Sequence, residues 1–312
     1  MNSLLHGLHH VTAIATDLQA NVDFYTGLLG LRLVKRTVNF DDPSAYHLYY
    51  GDASGTPGSI VTFFYWPGFA GRGRIGSGQT TALTFSAPAD SLSSWEARLA
   101  QHGVVANRLS RFGEDVLRFH DPDRIPIEIV AVIDDPRVGW TGAGIPSEHA
   151  LRGLHTAELT VRDAAPTEHL LATAMSFRLV RREKHRARFE AGSGGSGRYV
   201  DVISDTSLPR GLGGAGTIHH IAFRVADDEA ELTLQRTLAA AGFATSPVMD
   251  RDYFRSIYYR ERGGILFEIA TDVPGFSIDE PIDSLGRELK LPKHYRHARA
   301  AIEAALPPLR AA

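Results

Sequence analysis

Histidines and one glutamate occur in this 312-residue sequence at positions where they could hold a metal ion. His220 lies near the start of an apolar, strand-like run, and Glu268 lies inside a second such run 48 positions later (268 − 220 = 48). Two histidines and one carboxylate that leave coordination positions open form the facial triad typical of non-haem Fe(II). The candidate for the remaining histidine is His10. We therefore predict a metal site made by His10, His220 and Glu268.

Four similar stretches of sequence have to position these side chains. Residues 7–65, 78–133, 152–204 and 216–272 each predict a strand, a helix and three further strands. Each unit is therefore a βαβββ module, and the sheet of a single module cannot cover its own apolar face. We predict an α+β protein in which four βαβββ modules pair into two curved mixed sheets with a concave pocket.

The modules divide the chain into three predicted segments. Residues 1–140 hold modules one and two, residues 150–272 hold modules three and four, and residues 273–312 form a C-terminal extension with a helix. The stretch 134–147 is rich in proline and glycine, which is typical of a linker. A glycine-rich loop over residues 208–216 separates modules three and four.

Alignment of the first strands of the four modules selects the ligand histidines. In modules one and four, a histidine (His10 or His220) lies seven residues before the aspartate that follows the strand (17 − 10 = 7; 227 − 220 = 7). Module three has Thr156 at this position, and module two has no histidine there. We therefore expect modules one and four to pair around the metal. Glu128, in the closing strand of module two, is interpreted as a remnant of a second site.

A tyrosine is predicted beside the metal carboxylate. If the hairpin of module four turns at Gly263, Tyr258 and Glu268 are opposite each other, because each is five residues from the turn (263 − 258 = 5; 268 − 263 = 5). Opposed residues of antiparallel strands share a face and have Cβ atoms about 4.5–5.5 Å apart. The Tyr258 phenol could then donate to an oxygen bound at the metal. The same construction in module two places Arg118 opposite Glu128 as an ordinary ion pair.

Several other side chains lie close to the ligands in sequence. The two-residue period of a strand directs His9 and His219 to the face opposite the ligand histidines. Either they pack beneath the sheet or they support the ligands, and the sequence leaves both roles open. Thr12 lies two residues after His10, on the same face of the strand, and is expected to line the pocket. His47 and His155 are expected to be structural.

Composition excludes several functional classes. The 33 basic and 36 acidic residues nearly cancel, so the chain lacks the basic footprint of a nucleic-acid-binding protein. No apolar run approaches the ~18 residues of a membrane span, and the N-terminus is unlike a signal peptide. The absence of cysteine excludes disulfides, Fe–S clusters and thiol catalysis. We expect a cytoplasmic protein without nucleic-acid or membrane partners, and homo-oligomer formation stays open.

Four motifs carry a resemblance to a known family: LHHVTAI at residues 8–14, HLYYGD at 47–52, DRDYFRSIY at 250–258 and GILFEIATD at 264–272. With them the chain resembles, over nearly its whole length, the vicinal oxygen chelate (glyoxalase/bleomycin-resistance/dioxygenase) superfamily. Within that superfamily it is most similar to the hydroquinone ring-cleaving dioxygenases.

The resemblance implies the vicinal oxygen chelate fold and an Fe(II) cofactor, with Mn(II) as an alternative. It also implies cleavage of a hydroquinone-type ring, chlorinated or not, with O₂ as the second reactant. In this interpretation Arg251 contacts the substrate, His9 and His219 tune the ligands, and Tyr258 transfers a proton.

Three rival functions are open at this stage. An extradiol enzyme would bind a catechol through two adjacent hydroxyls. A glyoxalase-type isomerase or lyase would place four protein ligands around Zn²⁺ or Ni²⁺, but the closing strand of module one, residues 60–64, offers no glutamate. A drug-sequestering binding module of the same fold would lack a complete triad.

Overall fold

A computed structural model describes residues 4–68 and 71–310, and within these ranges sixteen strands form two eight-stranded sheets. Across the first sheet the strands are β14 (Met249–Asp250), β15 (Arg255–Arg260), β16 (Leu266–Thr271), β13 (Ile218–Val225), β1 (Leu8–Ile14), β4 (Ile60–Tyr65), β3 (Tyr46–Gly51) and β2 (Arg32–Val38). Across the second sheet they are β10 (Arg178–Glu183), β11 (Arg186–Glu190), β12 (Tyr199–Ser204), β9 (Gly153–Val161), β5 (Gln79–Pro88), β8 (Pro126–Val132), β7 (Glu114–His120) and β6 (Asn107–Arg111).

Each sheet joins one module from the N-terminal half of the chain to one module from the C-terminal half. The first sheet combines modules one and four through antiparallel pairing of β1 with β13, and the second combines modules two and three through β5 and β9. The predicted fold of four βαβββ modules in two curved mixed sheets is confirmed, and so is the pairing of modules one and four. Segments 1–140 and 150–272 therefore each contribute to both sheets, and the division of the chain into domains stays a prediction.

Helices connect the first strand of each module to the remaining three. They are α1 (Leu18–Val22), α2 (Leu92–Gln101), α3 (Ala165–Ala172) and α4 (Asp228–Ala240), followed near the C-terminus by α5 (Arg299–Ala305). The aspartates that aligned modules one and four, Asp17 and Asp227, are the N-caps of α1 and α4, since their carboxylates accept backbone N–H groups. After Val22 the first helix widens into a π-helix, Asp23–Leu28. None of the helices in the described ranges is long and apolar enough to span a membrane.

The two larger apolar clusters of the described residues stabilise the sheets. The larger one is continuous between them, and it includes Val11 and Ile221 from the first sheet and Leu83 and Leu159 from the second. A smaller cluster contains residues of the first sheet together with Phe276 of the C-terminal extension. Burial of these side chains supplies the main driving force for holding the modules together.

The C-terminal extension is anchored to module one by charges. Lys35 on β2 is fully buried, and its ammonium lies 2.6 Å from Asp279 and also pairs with Glu280. Tyr253 donates its hydroxyl to the same Asp279 at 3.1 Å. Because a buried ammonium is costly unless it is paired, these contacts fix the extension against the first sheet.

The linker between modules one and two pairs with the linker between modules three and four, and together they form what we call the linker ladder, residues 71–78 and 210–216. Isolated bridges join Arg72 to Ala215, Arg74 to Leu212 and Ser77 to Arg210. A Cβ atom on Gly76 would lie 2.4 Å from the Pro209 carbonyl oxygen, closer than real Cβ contacts occur. The glycines of both linkers therefore permit this close approach.

Candidate metal centre and substrate cavity

The centre of the first sheet brings together the three predicted ligands. His10 on β1, His220 on β13 and Glu268 on β16 are all buried. Glu268 Oε2 lies 2.9 Å from His220 Nε2 and 3.3 Å from His10 Nε2, and the two Nε2 atoms are 3.3 Å apart. One potential ligand atom from each residue lies within 4.8 Å of the others. Three such atoms converge around one point, which is the geometry that a single metal ion requires.

The neighbouring histidines fix which nitrogen each candidate ligand presents. His9 Nε2 is 3.2 Å from the carbonyl oxygen of Thr271, which can only accept, so His9 carries its proton on Nε2. Its bare Nδ1 is 2.9 Å from His10 Nδ1, which must therefore donate and leave Nε2 of His10 unprotonated. His219 Nδ1 is 2.8 Å from His220 Nδ1, so the same arrangement is available at the second ligand. A metal ion requires this tautomer, in which Nε2 offers its lone pair.

These contacts correct the expectation that His9 and His219 point away from the ligands. The register between β1 and β13 slips by one residue at His9 and again at His219, so each is the extra residue of a β-bulge. A bulge interrupts the alternation of side chains and re-aims the extra residue. Both histidines consequently lie alongside the ligands that follow them in sequence.

The negative charge of Glu268 is suited to binding a metal cation. Both of its carboxylate oxygens are buried and, within the described residues, lack a hydrogen-bond partner of acceptable geometry. Burial alone raises the pKa of Glu268, but the adjacent imidazoles of His10 and His220 outweigh it and hold the pKa well below its usual range. Burial also lowers the pKa of His220, which favours the neutral imidazole. A buried carboxylate whose oxygens lack a hydrogen-bond partner among the described residues, beside two histidines, is the donor set of a metal site.

Tyr258 is positioned opposite Glu268, as the hairpin spacing predicted. Its hydroxyl oxygen accepts from Arg251 Nε at 3.3 Å and from Ser256 Oγ at 3.1 Å, which leaves its own proton available to a third group. Burial, followed by the charge of Glu268, raises the pKa of Tyr258, so the phenol stays protonated at neutral pH. Arg251 is held in turn by Asp41, at 3.1 and 3.2 Å.

Sequence reasoning missed a chain of polar side chains on the opposite side of the ligands. His47 was expected to be only structural, but it lines the cavity and lies 2.9 Å from both Tyr49 Oη and Thr62 Oγ1. Thr12 bonds to Thr62 at 2.8 Å and is not among the residues that line the cavity, so it supports the wall from behind. The signal available in the sequence was the two-residue spacing of His47 and Tyr49, which places both on one face of β3.

A cavity of about 340 Å³ opens over His10 and His220. Its wall is mostly aromatic, with Arg251 and Tyr258 as polar groups on one side. The remaining lining residues are Asn39, Phe40, Asp41, His47, Tyr49, Phe64, Trp66, His219, Phe254 and Leu266. This volume is near the lower end for small-molecule sites, so it suits a single substituted ring.

The second sheet carries ion pairs where the first carries the candidate metal centre. Arg118 lies opposite Glu128 in the strand register, and its Nη1 is 3.0 Å from Glu128 Oε1, as predicted. Arg111 also pairs with Glu128 and bridges to Glu158 at 2.5 Å. Thr84 donates to the other oxygen of Glu128 at 2.9 Å. Glu128 is therefore neutralised by protein groups and offers no open position to a metal.

The fold consists of two sheets of paired βαβββ modules, and one sheet contains a buried cluster of two histidines and one carboxylate. This combination defines a glyoxalase-like class of protein. The family model described as "Glyoxalase/Bleomycin resistance protein/Dioxygenase superfamily" matches residues 7–129. The chain belongs to this superfamily. The Bacillus subtilis protein named "Putative ring-cleaving dioxygenase MhqO" is 44% identical over 302 residues, which cover 97% of this chain and 96% of that protein.

Two further comparisons support the assignment. The "Chlorohydroquinone/hydroquinone 1,2-dioxygenase" of Sphingobium indicum is 34% identical over 294 residues, which cover 92% of this chain and 91% of the relative. A crystal structure of a "putative dioxygenase" from Bacillus subtilis superimposes with a TM-score of 0.94 at 42% identity, covering 99% of this chain and 98% of that chain. Relatives with dioxygenase names thus match this chain along almost its whole length.

Proposed function

We propose that this chain is a metal-dependent ring-cleaving dioxygenase that uses Fe(II), with Mn(II) as the alternative, and acts on a hydroquinone-type aromatic, chlorinated or not, with O₂. The observation that carries the proposal is the buried cluster of His10, His220 and Glu268 beside an aromatic cavity. The names of the relatives at 34–44% identity support the same reaction class.

The metal would supply one element of the chemistry and the chain would supply the rest. Held by His10, His220 and Glu268, the ion would bind a phenolate oxygen and O₂ side by side and pass electron density between them. The open face of the cavity accepts the ring between aromatic side chains, which exclude water from it. The net reaction balances without any other reductant, because hydroquinone, C₆H₆O₂, and O₂ give a ring-opened acid, C₆H₆O₄.

Tyr258 is proposed as the proton donor. Its hydroxyl accepts from Arg251 and Ser256, so its proton points to a substrate oxygen and can be transferred as charge develops there. Arg251 orients this phenol and contributes positive charge close to the substrate. His9 and His219 hold the ligand imidazoles in the required tautomer, and they act through the ligands.

The glyoxalase-type rival would need a fourth protein ligand. The register places Thr62 beside Thr12, in the position that Glu268 occupies beside Ala222 in module four. A threonine that already bonds Thr12 and His47 supplies no carboxylate. The arrangement therefore favours three ligands and open positions over a closed four-ligand site.

The decisive experiment is anaerobic purification, reconstitution with Fe(II), and measurement of O₂ uptake with hydroquinone, chlorohydroquinone and catechol. We expect one O₂ consumed per ring with the two hydroquinones and slower uptake with catechol. Uptake with catechol alone would assign the extradiol rival, and uptake independent of added Fe(II) or Mn(II) would contradict the proposal. Glu268→Ala is the control, since it removes one of the three ligands.

The partners and the cellular location of the protein are part of the same proposal. The partners are a small aromatic substrate and O₂, and we propose a cytoplasmic location. Homo-oligomer formation is tested by light scattering on the purified protein.

A further inference from the structure

A second cavity, of about 470 Å³, adjoins the metal cavity and has no role in the mechanism above. The two cavities share Trp66, His219 and Leu266 in their walls. Most of the remaining wall comes from the glycine-rich linker ladder, the start of β5 and the hairpin between β15 and β16, and Ile14, Thr217 and Ile218 complete it. A molecule in this cavity would therefore lie next to a ring bound over the histidines.

The second cavity carries positive charge that the protein leaves unpaired. Arg210 and Arg260 line it and are exposed; Arg260 donates to the Gly264 carbonyl at 3.0 Å, but no carboxylate of the described residues lies within ion-pair distance of either arginine. Residues 71–80 and 208–218 contribute further arginines, Arg72 and Arg74, but contain no acidic residue. The one acid in the hairpin, Glu261, is buried and bonds to Thr167 and to backbone N–H groups. The charges around the cavity thus attract an anion.

A buried hydroxyl in the same wall also lacks a partner. Thr80 is only 3% exposed, and its Oγ1 has no hydrogen-bond partner within the described residues. Such groups are rarely left unsatisfied in a folded protein, because a buried unpaired donor costs free energy. Two guanidinium groups at the edge of one cavity match a carboxylate, which guanidinium binds with two parallel hydrogen bonds, and the Thr80 hydroxyl lies in the wall behind them, closed to solvent.

We propose that the second cavity binds the carboxylate of a small organic acid. Two sources fit, and both rest on the proposed function: an acidic substituent on the aromatic substrate, or the carboxylate that ring opening creates. The shared walls at Trp66, His219 and Leu266 let the organic part of either molecule extend over the metal cavity. Arg210 and Arg260 are then determinants of specificity or of product release, and they take no part in the ring cleavage itself.

Calorimetric titration with cis,cis-muconate tests the site without requiring any turnover. We expect saturable binding that Arg210→Gln and Arg260→Gln together weaken at least ~10-fold, since each removes a charged hydrogen-bond donor. Arg236→Gln is the matched control, because this exposed arginine of α4 also has no carboxylate partner in the described part of the chain. Dimethyl muconate, which has the same carbon skeleton without charge, is expected not to bind.

The metal variant separates this proposal from the function proposed above. Glu268→Ala should bind muconate within twofold of the parent, because the carboxylate site lies outside the metal cluster. Binding that disappears in Glu268→Ala but survives in the double arginine variant would place the acid on the metal and overturn the proposal. Equal affinity for the diester and the diacid would overturn it as well.

Steady-state kinetics then identify the source of the carboxylate. If it belongs to the substrate, the double variant raises KM at least ~10-fold for (2,5-dihydroxyphenyl)acetate and leaves KM for hydroquinone unchanged. If it belongs to the product, both KM values are unchanged and the inhibition constant of the ring-opened acid rises by a similar factor. No change in any of these constants would refute the site as a functional one.

Discussion

Replacement of His9 tests how the protein controls the tautomer of a candidate ligand. His9→Leu removes the Nδ1 acceptor that lies 2.9 Å from His10 Nδ1 and the Nε2 donor that lies 3.2 Å from the Thr271 carbonyl. His10 then keeps a buried N–H without a partner, at a cost of about 1–3 kcal/mol. At about 1.4 kcal/mol per factor of ten, metal affinity should fall roughly 10–100-fold, the range typical when the group that orients a metal ligand is lost.

The assay is competition for Fe(II) or Mn(II) against a chromophoric chelator under anaerobic conditions. His9→Asn provides an internal rescue, because its Oδ1 occupies nearly the position of Nδ1 and can accept from His10, so affinity should fall only a few-fold. His155→Leu is the matched control. His155 aligns with His9 in module three, but its nitrogens contact Ser196 at 2.8 Å and Glu114 at 3.1 Å in the second sheet.

The result that would refute this reasoning is an affinity for His9→Leu within twofold of the parent. An asparagine variant no better than the leucine variant would equally show that the acceptor at Nδ1 is not what holds the ligand. Loss of affinity in His155→Leu would indicate a general effect on folding, which melting temperatures of all three variants would detect independently.

Three further predictions, each made with substitutions, test other parts of the structure. Tyr258→Phe should lower kcat about 100-fold with full metal content, whereas Tyr259→Phe, on the other face of the same strand, should leave O₂ uptake near the parent rate. Glu268→Ala should abolish metal binding in elemental analysis. Glu128→Ala should keep the metal but lower the melting temperature, because loss of one partner from a buried ion pair costs about 3–5 kcal/mol. The reverse pattern would contradict both assignments. Burial raises the pKa of Asp121 from 3.8 to about 7, so the unfolded state releases its proton at lower pH than the folded state and stability falls as pH rises from 3.8 to 7. Asp121→Asn should therefore melt at least ~2 °C higher than the parent at pH 8 and no higher at pH 4, and equal shifts at both pH values would contradict the assignment.

Much of the candidate site followed from spacing alone. The repeat identified the paired modules, and a residue count from the turn at Gly263 placed Tyr258 opposite Glu268, because hairpin register is set by the turn. Arg118 and Glu128 follow the same rule and pair as expected. Local regularity of strands is what makes these positions predictable.

The features that escaped prediction depend on irregularity or on distant contacts. His9 and His219 were directed to the wrong face because a bulge changes the alternation, and nothing in the residues around them marks a bulge. His47 gained its place in the cavity from Thr62 on the neighbouring strand. The second cavity depends on two linkers that are far apart in sequence, and only the folded chain brings their glycines together.

The antiparallel pairing of β1 with β13 has a consequence for synthesis on the ribosome. His10 and His220 are separated by 210 positions, so at ~5–20 residues per second the nascent chain waits about 10–40 s for the strand that completes the first sheet. During this time one long edge of β1 is open to pairing with other chains, while modules two and three can already assemble. Capture of a cation by all three side chains comes later still, once Glu268 has emerged, so we expect translation speed and metal supply both to influence the yield of loaded protein.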